Sequence, residues 1–403
     1  MEKVDVVIVG GGMAGVSTAA TLCTESNLKV ILFEKNAIGS NQAIRAVFRE
    51  AVEEFGLEDS VLQKYTGFIW HNPSGVFAKF DYKTVKLLAL DYQKACHILF
   101  NRACSYGLKT YPVKALSWSL QHPIDQKPLV VHLDNGTSIQ AEILVDASGT
   151  AQWAARQLKI KLSPLYSICY GELFKGCRME DEQYFRFLGP NSVYGNGGGW
   201  MYPAGEKTIS MGYSVVVRHF NIEETNLVNG YMSAKNEFQP YAGWVKNGIR
   251  ERIEGGIVPV GRIGRFVSDR ILIVGDAAGQ AHPWSVEGCR PSLFNGRLVA
   301  KTIMLAFDRK AFDHRTLSVY EREWSKTNRE RFWRSKSVAD ISWGRTDQDC
   351  DQFVFAMNKL SPTAQLEILK ENTASLFEKI YAVGGYARRQ AVRWFKEKYK
   401  RCF

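Results

Sequence analysis

The segment from Val4 to Glu34 constrains this chain more than any other. Val4–Val9 is a compact apolar run that ends at Gly10-Gly-Gly-Met-Ala-Gly15, and a helix-compatible VSTAATLCTES follows. Leu28–Phe33 is a second apolar run, closed by Glu34. Strand, glycine turn, helix, strand and acid span about 30 residues, the context in which a Gly-x-Gly-x-x-Gly sequence identifies a dinucleotide site. The glycines permit a tight turn, close approach of a pyrophosphate and close helix–strand contact, while the helix N-terminus faces the phosphates. Glu34 is placed to accept hydrogen bonds from a ribose.

The pattern after this unit is not a simple repeat of it. Ala43–Glu54 reads as a helix, as does the end of DSVLQKYTG at 59–67. Phe68–Tyr82 reads as a strand pair around Asn72-Pro-Ser-Gly75, and Tyr92–Tyr106 as a helix with an apolar face. From Lys109 strands dominate, with Asp134-Asn-Gly136 as a hairpin turn between alternating runs. Residues 165–260 are aromatic, glycine-rich and strand-like, and nearly everything beyond 312 reads as helix. The expected class is α/β. A Rossmann-like nucleotide domain would be assembled discontinuously from 1–66, 85–160 and 261–311. A mixed β-sheet substrate domain would comprise 67–84 and 161–260, and a helical C-terminal region 312–403.

The stretch ILIVGDAAGQAHPWSVEGCRPSL at 271–293 carries the second half of the expected site. A strand ending in Gly-Asp sets the Asp276 carboxylate at the carboxyl edge of a sheet, where ligands of α/β folds bind. A carboxylate there suits a polyol hydroxyl and not a phosphate. A helix beginning near Gly288 directs its positive end at the bound group, and its N–H groups would stabilise negative charge.

With these pieces in order, the chain resembles the flavoproteins of the para-hydroxybenzoate-hydroxylase-like fold, and among them the geranylgeranyl reductase family. The resemblance rests on Gly10–Gly15 with Glu34, VDASGTAQWAARQL at 145–158, GGWMYP at 198–203 and GDAAG…P…EG within 275–288. It implies FAD held by Gly10, Gly12, Met13, Ala14, Gly15, Glu34, Lys35, Arg45 and Val113. Asp276, Gly279, Pro283, Gly288 and Cys289 complete that set, with Asp276 on the ribityl chain. Trp200, Tyr202 and Pro203 would line the substrate side of the flavin. A single dinucleotide fingerprint is present, so NAD(P)H would bind transiently, or electrons would come from a reductase or ferredoxin partner. The implied reaction is hydride transfer from reduced flavin to a carbon–carbon double bond of a small apolar, isoprenoid-like substrate.

The chain departs from the family at two places. Val286 stands where relatives commonly have Gly, and a β-branched residue does not easily take positive φ, so a reshaped loop is expected beside the flavin. AIGSNQAIR at 37–45 replaces a Cys-Gly-rich segment. Four residues are candidates for chemistry, each with a plainer alternative. His282 is a proton donor or a turn residue, and Glu287 a general acid or a helix N-terminal charge. Cys289 is a thiol activated by a helix N-terminus or a packing residue. Lys64 falls roughly where flavin-dependent halogenases, which share the fold, carry a catalytic lysine. Arg45 and Arg49, read as helical, would reach phosphates or be solvated. The Trp-x-Trp-x-Ile-Pro segment of halogenases is absent. Aromatic monooxygenases on this fold, and lycopene-cyclase-like proteins with a Gly-x-x-His-Pro element seen here as GQAHP, are further alternatives. IEETNL at 222–227 is similar to the acidic motif of those cyclases, or is a helix start. A redox-inactive flavin-binding protein is the non-enzyme alternative.

Composition excludes other classes. Eight scattered cysteines and seven dispersed histidines form no metal-ligand spacing, so no metal is expected. No apolar run approaches the roughly 18 residues of a membrane span, and the N-terminus lacks a signal peptide's regions, so a cytoplasmic protein is expected. The net charge of +11 has much of its excess at 388–401, with Arg329, Arg331 and Arg334 upstream. A basic helix bearing Trp394, Phe395 and Tyr399 would pack on its own domain or touch an anionic membrane peripherally. No nucleic-acid motif accompanies the charge, so no nucleic-acid partner is expected.

Overall fold

The computed structural model describes residues 1–40, 43–72, 74–120, 127–189, 197–217, 227–237, 241–342 and 347–369. The expected basic segment at 388–401 and most of IEETNL lie outside the described residues.

The opening unit folds as β1 (Glu2–Val9), α1 (Met13–Glu25) and β2 (Val30–Phe33). Val6, Val7 and Ile8 are all fully buried, the pattern of a parallel strand covered on both faces. The chain then makes β3 (Ile44–Phe48), α2 (Arg49–Phe55) and β4 (Val61–Tyr65). The hairpin β5 (Gly67–His71) and β6 (Phe77–Asp81) leads to β7 (Leu87–Asp91), α3 (Tyr92–Ser105) and β8 (Lys109–Tyr111). A meander of β9 (Ala115–Ser119), β10 (Leu129–Leu133) and β11 (Ser138–Asp146) returns to the first sheet, followed by the short α4 (Trp153–Gln157).

The second sheet is built from β12 (Leu165–Lys175), β13 (Tyr184–Leu188), β14 (Gly197–Pro203) and β15 (Thr208–Val217). After α5 (Leu227–Glu237) and α6 (Tyr241–Val245), β16 (Ile249–Val260) joins the same sheet. The chain returns to the first sheet through β17 (Val267–Ser268) and β18 (Ile271–Ile273). The rest is helical: α7 (Cys289–Arg309), α8 (His314–Leu317), α9 (Val319–Ser342), α10 (Asp347–Asn358) and α11 (Pro362–Leu369).

The first sheet runs β17-β18-β11-β1-β2-β8. β18, β11, β1, β2 and β8 pair in parallel, so Val9, Asp146 and Ile273 end together at one carboxyl edge. The second sheet runs β16-β12-β15-β14-β13-β5-β6 and takes its outer hairpin from residues 67–81. A third sheet of three strands, β3-β7-β4, is absent from the sequence reading.

That third sheet corrects two expectations. Ala43–Glu54 is not one helix, because Ile44–Phe48 pairs antiparallel with β7 from Ile44↔Asp91 to Phe48↔Leu87. Helix begins only at Arg49 and stops where Gly56 turns left-handed at φ 63. Lys64 likewise lies on a strand, paired with Leu88. In both places the strand pairing with β7 overrides a local helical pattern.

Glycine has separate duties in the opening turn. A Cβ on Gly10 or Gly15 would run into the backbone oxygen of Ala147 or Gly10 respectively. A Cβ on Gly12 would approach only the Tyr92 hydroxyl, at 3.3 Å. Gly10 and Gly15 therefore serve the fold, whereas Gly12 leaves open space at the helix N-terminus.

Candidate flavin and substrate site

The carboxyl edge of the first sheet gathers the first half of the site. Glu34, just past β2, accepts hydrogen bonds from the Gly11 N–H (2.7 Å) and the Asn36 N–H (2.9 Å). Its carboxylate is thereby fixed beside the glycine turn. Val113 is half-buried just beyond β8, next to Tyr111, whose carbonyl accepts the Glu34 N–H. Lys35 is exposed. At the start of α1 the Met13 N–H donates to the Tyr92 hydroxyl at 3.0 Å. The sequence reading did not single out Tyr92; it is brought to this position by α3, whose N-cap Asp91 accepts from the Lys94 N–H.

Asp276 lies in the turn Gly275–Ala278 directly after β18. Burial pushes its carboxyl up to about 6, with the Arg45 guanidinium opposing the shift. No hydrogen bond contributes to that balance, so the buried carboxylate stands ready to accept from a hydroxyl. An ideal Cβ on Gly288 would sit 3.2 Å from Asp276 Oδ1, so the N-cap of α7 adjoins the carboxylate. Gly279, at φ 64, is needed because a Cβ there would overlap the Gly261 carbonyl and Ser163. It does not face the cavity.

One cavity of about 360 Å³ joins this edge to the second sheet. Met13, Arg45, Asp276, Gly288 and Cys289 line it on the nucleotide side. Trp200, Tyr202, Phe187, Trp70 and Trp284 line it on the other. Of the expected residues, Gly10, Gly12, Ala14, Gly15, Glu34, Lys35 and Val113 of the nucleotide half lie outside its lining, as do Pro203, Gly279, His282, Pro283 and Lys64. Lys64 is exposed on β4, pointing to solvent. His282 is buried, and its main chain bonds both Glu287 and Val286. Glu287 does line the cavity; its Oε2 pairs with Arg290 at 2.8 Å. Arg45 comes from β3 and not from a helix, and Arg49 is an exposed partner of Glu53.

The glycine-rich strands have a specific purpose. A Cβ on Gly212 would collide with the Trp200 ring, and one on Gly171 would lie 3.0 Å from it. These glycines seat the indole, whose Nε1 reaches Ser210 Oγ at 3.3 Å. Tyr202 donates its hydroxyl proton to the Ile44 carbonyl at 2.9 Å, and burial raises its pKa well above the usual phenol range. Its proton is committed to the backbone, so Tyr202 is a wall and not an acid.

Cys289 follows the plainer of its two readings, whereas Val286 departs from expectation. Burial pushes the Cys289 thiol up to about 12, against the lowering influence of Arg45. It remains a protonated thiol at neutral pH, because desolvation outweighs the helix N-terminus. Val286 takes φ 55 despite its branched side chain. Four hydrogen bonds hold the loop: Val286 N to His282 O, His282 N to Glu287 O, Glu287 N to Ser285 Oγ, and Trp284 N to Ser335 Oγ. Such over-determination is how a strained residue persists, at about 1–3 kcal/mol. Val286→Gly should therefore raise the unfolding free energy of the FAD-free protein by about 1 kcal/mol after the loss of unfolded-state restriction. Denaturant titration checks this, and a loss of stability would refute the strain.

Among the described residues no three or more His, Cys, Asp or Glu side chains are placed to hold a metal ion. No described helix is long and apolar enough to cross a membrane.

The comparisons with known proteins agree with this geometry. Residues 5–182 match the lycopene cyclase protein family, a span that stops short of the GQAHP element. The chain is 22% identical over 399 residues to digeranylgeranylglycerophospholipid reductase 3 of Methanosphaera stadtmanae, covering 95% of this chain and 96% of that one. It is 25% identical over 375 residues to the digeranylgeranylglycerophospholipid reductase of Methanocaldococcus jannaschii, covering 88% and 90%. A geranylgeranyl bacteriochlorophyll reductase-like protein from Thermoplasma acidophilum superposes with a TM-score of 0.79 at 18% identity, covering 95% and 100%. The flavin-dependent brominase Bmp2 superposes at 0.75 with 17% identity, covering 98% and 100%.

The fold is thus that of the para-hydroxybenzoate-hydroxylase-like flavoproteins. Along nearly its whole length the chain is similar to the geranylgeranyl-type reductases.

Proposed function

We propose that this protein is an FAD-dependent oxidoreductase that reduces carbon–carbon double bonds of an apolar, isoprenoid-like substrate. The observation that carries the reading is a cavity with the Asp276 carboxylate on one side and aromatic rings on the other. FAD fits the residues present. The α1 N-terminus and Gly12 leave room for a pyrophosphate, Glu34 is fixed for a ribose, and Asp276 offers an unsatisfied acceptor for the ribityl chain. Bound there, reduced FAD supplies hydride to an alkene. The chain's own part is to hold and desolvate. Arg45 and the α7 N-terminus place positive potential at one end of the cavity, and Trp200, Phe187 and Tyr202 exclude water from the other. The proton that completes the reduction comes from solvent, while Glu287 is held in an ion pair with Arg290 at the cavity wall.

NAD(P)H binding transiently, or a reductase or ferredoxin, supplies the electrons in this reading. The basic segment 388–401 brings the protein to an anionic membrane surface where an isoprenoid lipid would reside. The names of the archaeal relatives support the substrate class, and their coverage of 88–95% of the chain supports carrying it across.

The halogenase alternative draws on the likeness to the brominase. The exposed position of Lys64 speaks against it, because a catalytic lysine must face the flavin cavity. FAD-loaded protein supplied with dithionite and geranylgeraniol should form saturated product under strict anaerobiosis, and Lys64→Ala should leave the rate within about twofold. Product formation that requires oxygen, with or without bromide, would overturn the reductase assignment.

A further inference from the structure

Two of the tryptophans that line the cavity are not required by the proposed reaction itself. Trp70 of β5 and Trp284 of the loop before α7 stack with ring centroids 5.7 Å apart and planes 9° from parallel. Phe187 packs against Trp70 at 5.6 Å. Both tryptophans line the cavity and are almost fully buried, at 7% and 5% exposure.

The C-terminal helices tie down the Trp70 indole through Asn72 and the Trp284 main chain directly. Trp70 donates its Nε1–H to Asn72 Oδ1 at 3.0 Å, and Asn72 Nδ2 donates to Asp351 Oδ1 of α10 at 3.0 Å. Ser74 Oγ donates to the same carboxylate oxygen. On the other side the main-chain N–H of Trp284 donates to Ser335 Oγ of α9 at 2.9 Å, fixing the backbone that carries the second ring. Val354 and Met357 of α10 belong to the same buried apolar cluster as the two rings. An indole oriented by a hydrogen bond at its polar edge, and backed by packed side chains, cannot swing aside without leaving buried polar groups unpaired.

We propose that the Trp70–Trp284 stack is the end wall of the cavity and sets the length of apolar ligand it admits, with Asp351 and Ser335 as the positioning residues that keep the wall upright. The inference rests on the apolar-substrate reading and adds to it a specificity determinant. Truncating either ring extends the cavity, so longer chains gain buried contact while short chains gain none. Removing the Asp351 carboxylate releases Asn72 and, through it, the Trp70 indole. Asparagine at 351 keeps an acceptor for the Asn72 amide.

The test uses FAD-loaded protein and three probes of increasing length, geraniol, farnesol and geranylgeraniol, with binding read from the perturbed flavin absorbance. Retention of FAD by each variant controls for folding, and Trp284→Phe provides a milder truncation. Trp70→Ala and Trp284→Ala should shift the ratio of dissociation constants toward geranylgeraniol over geraniol by about tenfold, the scale of a few buried methylenes. Asp351→Ala should shift it in the same direction, and Asp351→Asn should restore the wild-type ratio. If the wild type binds the alcohols and every variant keeps its ratio, the end-wall assignment fails while the apolar-substrate reading stands. If the wild type binds none of them, that reading fails and the inference falls with it.

Discussion

Asp276→Asn should weaken FAD binding by about 10–100-fold while making the FAD-free protein more stable. The two effects share one cause. Burial raises the pKa of the carboxyl from the ordinary 3.8 to about 6. A carboxyl whose folded-state pKa is raised contributes no penalty in acid, where it is protonated in both folded and unfolded chains. Its penalty grows as pH rises from about 4 to about 6 and is complete above that window, amounting to about 2–3 kcal/mol. Asparagine removes the charge, so FAD-free Asp276→Asn should gain that stability at pH 7–8 and gain nothing near pH 4. FAD reverses the balance, because its ribityl hydroxyls donate to the carboxylate, and charge-assisted hydrogen bonds of this kind are worth about 1.5–3 kcal/mol. Calorimetric FAD titration and denaturant unfolding across pH read the two halves separately. A variant that binds FAD as tightly as the wild type would remove Asp276 from the site.

Gly15→Ala and Gly12→Ala should fail in different ways although they lie three positions apart. A Cβ on Gly15 meets the Gly10 carbonyl oxygen, backbone that cannot give way. That substitution should cost more than about 3 kcal/mol and yield little folded protein. Gly12 has an ordinary φ of −80, and its added Cβ would touch only the Tyr92 hydroxyl. Gly12→Ala should therefore fold within about 1 kcal/mol of the wild type yet bind FAD at least tenfold more weakly, since the methyl occupies the approach of the pyrophosphate. Thermal unfolding with and without FAD distinguishes them. A Gly12→Ala protein with undiminished FAD affinity would place the pyrophosphate elsewhere.

Much of the cofactor half was legible in the sequence because its parts are local. Val4 to Glu34 and Ile271 to Gly288 are each continuous strand–turn–helix segments, so residue type and spacing carry most of their geometry. The third sheet was not legible, since Ile44–Phe48 is a strand only through its pairing with Leu87–Asp91, and four apolar residues around Arg45 before a helical sequence extend a helix as readily as they form a strand. Tyr92 and the Trp70–Trp284 stack depend on long-range contacts that no single segment encodes.

At two residues a local rule competes with the packing around it. Val286 holds the left-handed backbone of a glycine because four hydrogen bonds fix the loop around it. Cys289 stands at a helix N-terminus, which favours a thiolate, but its burial favours the thiol more strongly. In both cases the sequence supplies the local preference and the packing around it supplies the larger energy.

The central claim is that one cavity brings a flavin and an apolar alkene together for hydride transfer. Its most direct test is a single turnover without oxygen. FAD-loaded protein is photoreduced, mixed with geranylgeraniol or with its fully saturated analogue, and followed at the flavin absorbance band. Rapid flavin reoxidation with the unsaturated chain and none with the saturated one is the predicted result. Flavin that stays reduced with both, and reoxidises only when oxygen is admitted, would contradict the claim.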